Sequence, residues 1–344
     1  MEPGGATARV HATAVDRRGP QPDLESHDDV LVRVGGAGVC RTDLHLIDGW
    51  FADLMPADVP FTLGHETAGW VEAVGRNVSN LEVGDPVIVH PLKTCGICWD
   101  CRHGEDMYCE SSAFPGVNTD GGHAEYLRTG SRSLIALPDG IEPADVAPHA
   151  DAGLTAYRAV RKAKAILQAG ESIAVFGAGG LGHIGVELLK AMTPAKVIVI
   201  DPSPAARDLA ASVGADVTLD VNGAAETVLE ATGGRGADVV LDFVGENGTP
   251  ALAIEIVRQG GTYLIVGYGG ELQVPTMLLI LKEATIIGNL VGSYGDLSEL
   301  IALAAAGHVE LHTVQHDLEA APQALDDLNN GRVNGRAVLI PSAR

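Results

Sequence analysis

Apolar positions in the first 145 residues come in short runs separated by turn residues. Residues 30–34 (VLVRV), 69–74 (GWVEAV) and 86–89 (PVIV) read as strands, and Gly35-Gly36, Gly75-Arg76-Asn77 and Gly84-Asp85-Pro86 punctuate them. This spacing predicts an irregular, mostly β domain. The pattern changes near residue 150. A helix at 152–169, rich in alanine and basic residues, precedes a buried strand at 172–176 (SIAVF), Gly-rich sequence and a helix at 182–192. Strands at 196–200, 216–219, 238–243 and 262–266 then alternate with helices at 205–213, 224–231 and 250–257. Such alternation predicts a parallel sheet covered by helices on both faces. From about 290 a tail carries a helix at 297–306 and a strand at 337–340.

Within the alternating region, Gly177-Ala178-Gly179-Gly180-Leu181-Gly182 follows one strand and opens a helix. Gly177 permits a tight turn, Gly179 lets the backbone approach a pyrophosphate, and Gly182 allows helix and strand to pack closely. The helix N-terminus would face the anion. Asp201 ends the next strand, 19 residues after Gly182. Its carboxylate would accept hydrogen bonds from the adenosine ribose and repel a 2′-phosphate, which favours NAD over NADP. Pro202 follows, with no adjacent arginine to bind a phosphate. The plainer alternative is a glycine-rich turn in an α/β protein with an acidic strand end.

Length and charge narrow the classes. The 344 residues suit two domains. The formal net charge of −22 excludes nucleic acid and anionic membrane as partners, since both need a basic footprint. The N-terminus lacks a basic region followed by an apolar stretch, and no run approaches the ~18 apolar residues of a membrane span. A cytoplasmic protein is expected.

Four of the five cysteines fall between positions 95 and 109, as Cys95, Cys98, Cys101 and Cys109. Four thiolates spaced C-x2-C-x2-C-x7-C can close the tetrahedral shell of a structural zinc. An iron–sulfur cluster is the competing reading, without a second cysteine set or a Cys-Pro to support it. The residues between them are small and polar, which speaks against four reduced core cysteines. Cys40 remains, in Cys40-Arg41-Thr42-Asp43-Leu44-His45, with Gly64-His65-Glu66 further on. Alone, Cys40 reads as a small buried hydrophobe and His65 as a core histidine.

Taken together, these motifs resemble the medium-chain dehydrogenase/reductase superfamily in its zinc-containing alcohol dehydrogenase branch, in order and over essentially the whole chain. The GHE-x2-G-x5-G stretch from Gly64 to Gly75 matches that branch position for position. The resemblance implies a mostly β, GroES-like catalytic domain at 1–152 and 291–344, with a Rossmann doubly wound domain at 153–290. It implies two zincs per chain and NAD. Cys40 and His65 resemble catalytic zinc ligands. Many members supply the third as a cysteine before Ala-Gly-x-Thr; here Asp151 stands there, as in bacterial and archaeal secondary-alcohol dehydrogenases. Glu66 resembles a carboxylate that approaches the metal during exchange, and Asp43 the partner that fixes the histidine tautomer. His149, two residues before Asp151, is not expected to ligate.

The resemblance also implies a proton relay from alcohol to Thr42, to the nicotinamide ribose, to His45 and out to water. The alkoxide then passes hydride to the nicotinamide. Arg41 and Arg336 resemble the arginines that meet the pyrophosphate, and Thr155, Val266 and Val291 resemble positions lining the nicotinamide. The family often has a basic residue five positions after the ribose aspartate; here that place is Ala206, with Arg207 next. Trp50, Phe51 and Leu290 are candidate substrate-pocket residues. His308, His312 and His316 recur at i, i+4 and i+8 but sit in strand-like sequence, so they are expected to be ordinary surface histidines. The implied activity is reversible oxidation of a secondary or medium-sized primary alcohol, in a homodimer or homotetramer. A polyol, sugar or amino-alcohol dehydrogenase is the alternative, and a zinc-free quinone reductase or a non-enzymatic scaffold fits the motifs poorly.

Overall fold

The computed structural model describes residues 21–52, 55 and 57–342, so the N-terminal stretch read for a leader lies outside the described residues. Two compact units divide the chain. The first comprises the described residues up to Cys101, then Cys109–Ala150 and everything from Thr313 on. The second comprises Arg102–Tyr108 and Asp151–His312.

The first unit is built on a seven-stranded sheet. Its strands are β1 (Asp29–Val39), β2 (Glu66–Val74), β3 (Pro86–Val89), β4 (Tyr126–Gly130), β5 (Leu134–Ala136), β12 (Thr313–Asp317) and β13 (Arg336–Ile340). The order is β12-β13-β1-β2-β3-β5, with β4 also on β1. Every pairing is antiparallel except β12 on β13. Val30, Val32, Val34, Val71, Val87 and Leu127 form its core, the inward half of the predicted alternation.

The second unit holds β6 (Ser172–Phe176), β7 (Lys196–Ile200), β8 (Val217–Leu219), β9 (Ala237–Asp242), β10 (Val257–Ile265) and β11 (Thr285–Gly288). All pair in parallel, in the order β11-β10-β9-β6-β7-β8. The chain therefore winds outward in both directions from β6 and β9, the doubly wound arrangement whose switch point lies between those two strands. Phe176, Ile198, Ile200, Val240 and Tyr263 are buried at its centre, as continuous apolar runs require when helices cover both faces.

Two boundaries differ from the sequence pattern. The helix expected to 169 runs over Ala152–Lys164, because the chain then turns through Gly170, at φ +87°, to enter β6. Residues 291–312 lie in the second unit, where the helix Tyr294–Ala305 is fastened to the helix Ala152–Lys164. Arg158 donates to Asp296 at 3.1 Å and to Glu105 at 3.0 Å, and Arg161 reaches the same aspartate at 2.8 Å.

Candidate active site

In the first unit the pairing of β1 with β2 sets Gly38 opposite Glu66. Cys40 lies two residues beyond Gly38 and His65 one residue before Glu66, so this register brings thiol, imidazole and carboxylate together. Gly38 is needed for space: a Cβ there would stand 2.0 Å from Glu66 Oε2. The ligand atoms of Cys40, His65 and Glu66 lie within 4.8 Å of one another, and all three residues are buried. One thiol, one imidazole and one carboxylate in so small a span suit a divalent zinc. Asp151, directly after Ala150, opens the second unit.

The helix Arg41–Ile47 starts at this cluster, with Cys40 as its N-cap. Asp43, fully buried, accepts the Cys40 N–H at 2.9 Å through Oδ2, and its Oδ1 lies 3.4 Å from His65 Nδ1. Burial works to raise the Asp43 carboxyl, but His65, His123 and the Cys40 N–H together hold it below the usual carboxylate range. Thr42 and His45 are three residues apart on the same helix, hence on one face, and both are half-buried. The His45 ring stacks on Trp50 at 4.3 Å, and Phe51 is tilted against it at 6.5 Å. Trp50 and Arg41 are otherwise exposed, as is Leu290 in the second unit. Arg336 is buried, and its guanidinium forms an ion pair with Glu66 within the first unit.

The other four thiols gather in the loop 95–109, with their Sγ atoms within 4.8 Å of one another. Backbone N–H groups point at sulfur in sequence: Cys98 to Cys95 at 3.4 Å, Cys101 to Cys98 at 3.5 Å and Cys95 to Cys109 at 3.4 Å. The N–H groups of Ile97 and Cys98 lower the Cys95 thiol to about 6, while burial raises that of Cys101. A donor set of four thiols fits a closed zinc shell and leaves no protein position open.

In the second unit Gly177 takes φ +84°, and a Cβ on Gly182 would lie 1.9 Å from the Gly177 carbonyl oxygen. Nothing stands within 4 Å of where a Cβ on Gly179 would be, so the turn is open on that side. Gly180 and Leu181 complete it half-buried, and the helix Gly182–Met192 follows. A tight turn, a close helix contact and an open glycine face at a helix start fit a dinucleotide pyrophosphate. Asp201 is held ready, its carboxylate accepting the Ala178 and Ser203 N–H groups at 2.8 Å each. Thr155 donates its hydroxyl to Asp151 Oδ1 at 3.2 Å, and its carbonyl accepts from Asn289 Nδ2 at 3.1 Å. Val266 donates its N–H to the Asp242 carbonyl at 2.9 Å. Val291 stands at φ +39°, a left-handed backbone that a β-branched residue rarely adopts.

Sequence reasoning missed two groups. Asp242, buried at the end of β9, accepts from the Val244 and Gly245 N–H groups and from the Thr249 and Tyr263 hydroxyls, all within 2.9 Å. The second is the contact of Arg207, one place past the family's basic position, which folds back onto the Asp201 carbonyl at 2.6 Å. The Ser203 N-cap and the position of Arg207 one turn into the helix Pro204–Ser212 were the available signals. His308, His312 and His316 do not share a helix: the chain turns at Gly307, and His316 lies in β12. His149 is buried and is not grouped with Cys40, His65 and Glu66. Among the described residues, no helix is long and apolar enough to cross a membrane.

Residues 26–139 match the alcohol dehydrogenase GroES-like domain family and residues 180–306 the zinc-binding dehydrogenase family. An NAD-dependent alcohol dehydrogenase of Sulfurisphaera tokodaii is 35% identical, over 91% of this chain and 92% of its own length. A D-arabinose 1-dehydrogenase (NADP(+)) of Saccharolobus solfataricus is 32% identical, over 94% and 92%. The crystal structure of an alcohol dehydrogenase from Aeropyrum pernix superposes with a TM-score of 0.91 at 48% identity, covering 93% of this chain and 94% of that one. With its GroES-like and Rossmann-type halves, its two metal-ligand sets and these relatives, the chain belongs to the zinc-containing alcohol dehydrogenases of the medium-chain dehydrogenase/reductase superfamily.

Proposed function

We propose that the protein is a zinc- and NAD-dependent alcohol dehydrogenase that interconverts a secondary or medium-sized primary alcohol with its ketone or aldehyde. The observation that carries this reading is the compact donor set of Cys40, His65 and Glu66 in a chain that also carries a dinucleotide turn. Cys40, His65 and Asp151 would hold the catalytic zinc, two of them anionic and one neutral, which balances a divalent charge. Zinc bound there supplies a Lewis acid that polarises a carbonyl and lowers the pKa of a hydroxyl. Asp43 on Nδ1 of His65 leaves Nε2 as the basic nitrogen. Glu66 is a further carboxylate for ligand exchange, with Arg336 balancing its charge. Cys95, Cys98, Cys101 and Cys109 would hold a second zinc whose task is to fix their loop.

The Thr42 hydroxyl can accept and donate a proton at once, and an imidazole such as that of His45 has one nitrogen that accepts and one that donates, so the pair can carry the substrate proton to water. Trp50 and Phe51 give the His45 end of this helix an apolar flank. Gly179 admits the cofactor pyrophosphate, and Asp201 takes the adenosine ribose hydroxyls. The partner is a second copy of the chain. The helix Thr276–Lys282 buries none of its residues, Met277, Ile280 and Leu281 are exposed, and β11 beside it is the open edge of the parallel sheet. An uncovered strand edge next to apolar side chains calls for pairing. Free thiols throughout suit a reducing cytoplasm.

The purified protein should contain two zincs and reduce NAD with at least one member of a panel of secondary and primary alcohols. No turnover across the panel with both zincs in place would overturn the reading. The D-arabinose relative favours a second reading, a sugar or polyol substrate, and sugars belong in the same panel. Light scattering should find a dimer or a multiple of it, and Ile280→Glu should shift it towards monomer.

A further inference from the structure

The geometry points to Asp220 as a second determinant of cofactor choice, acting through Arg207; this rests on the NAD reading above. β7 and β8 run in parallel with Ile200 opposite Leu219, and the Asp201 N–H donates to the Leu219 carbonyl at 3.0 Å. The next residue on each strand is an aspartate. Asp201 and Asp220 therefore leave neighbouring strand ends side by side, at the corner where the adenosine ribose is recognised.

Arg207 is brought to that corner from the helix Pro204–Ser212. Its Nη1 donates to the Asp201 carbonyl at 2.6 Å, to the Pro202 carbonyl at 3.0 Å and to Asp220 Oδ2 at 3.1 Å. Asp220 is itself aimed, because its Oδ1 accepts from the Asn222 backbone N–H at 3.0 Å and from the Asn222 side chain at 2.9 Å. The two carbonyls fix where the guanidinium sits, and Asp220 neutralises it. A 2′-phosphate arriving here meets two carboxylates and a cation already engaged with one of them.

Removing Asp201 alone therefore leaves Arg207 bound to Asp220. Asp220 is the residue that keeps an arginine in place for a 2′-phosphate from serving one, and a charge-assisted pair of arginine with phosphate is among the stronger hydrogen bonds available. Cofactor choice is thus set by the repelling carboxylate and by the occupied arginine together.

The test is a double-mutant cycle on the full-length, zinc-loaded enzyme, reading kcat/KM for NADP and NAD and NADPH binding by fluorescence. Asp201→Ser and Asp220→Ala are each expected to improve NADP modestly. The double variant should exceed the product of the two gains by about tenfold, a step equal to one charge-assisted hydrogen bond. Arg207→Met, which keeps the aliphatic stem, should remove that excess from the double variant. Asp220→Asn keeps a hydrogen-bond acceptor without the charge and should fall between Asp220 and the alanine. Gains that simply multiply, or an excess that survives Arg207→Met, would overturn the proposal. Failure of the unmutated enzyme to bind NADH would instead remove the NAD reading on which it rests.

Discussion

The two sets of metal donors arise in opposite ways. The cysteine lobe draws its four thiols from positions 95–109, and their placement comes from two N–H···S bonds between residues three apart, one that closes the loop from Cys95 to Cys109, and a single helical turn at Trp99–Arg102. The Cys40 set draws on positions 40, 65 and 66, and is gathered by strand register and a helix start. A local set can be organised by its own loop and needs the metal to be stable, as small zinc modules do. A gathered set is organised by the fold around it, so losing a ligand there should cost chemistry more than stability.

The largest effect is expected at the gathered set. Asp151→Ala should lower turnover by ~10³-fold or more, the scale of losing metal assistance, and halve the zinc content while leaving the melting temperature nearly unchanged. A fall in stability as large as that in a lobe variant would erase the distinction. The next effect reverses the pattern. Cys101→Ser should release the lobe zinc and lower the melting temperature by on the order of 10 °C by calorimetry, with the other zinc retained in the protein that stays folded.

Smaller changes sharpen the contrast. Asp43→Asn removes the carboxylate beside His65 Nδ1 and should weaken zinc at the gathered set by ~10–100-fold in chelator competition, leaving the lobe zinc as tightly held as before. Equal weakening of both zincs would mean that Asp43 acts on the fold as a whole. Thr155→Val removes one hydroxyl donor to Asp151 and should weaken the same zinc only several-fold, the size of one hydrogen bond.

Much of this was legible in the chain because it is local. The alternation of apolar strands and helices after residue 150 appears as the parallel sheet β6 to β11, since strands buried on both faces must be continuously apolar. The cysteine spacing places three thiols together because Cys95, Cys98 and Cys101 are each three residues apart, about one turn of chain, and the loop returns Cys109 to them. The helix Thr276–Lys282 is a different case: its sequence is as apolar as a core strand, yet none of its residues is buried, and pattern alone cannot tell a core from an uncovered surface.

The chain alone carried the family resemblance and the fold class, a mostly antiparallel sheet and a parallel one, because these depend on residue type and short-range spacing. Tertiary structure alone decided which groups meet. It turned Arg336 inward onto Glu66, set Thr155 against Asp151, gathered four hydrogen-bond donors on Asp242 and folded Arg207 back between Asp201 and Asp220. Each of these contacts depends on strand register, on a helix or loop start, or on side-chain reach. Those are fixed by packing the whole sheet, and neighbouring residues in the chain do not record them.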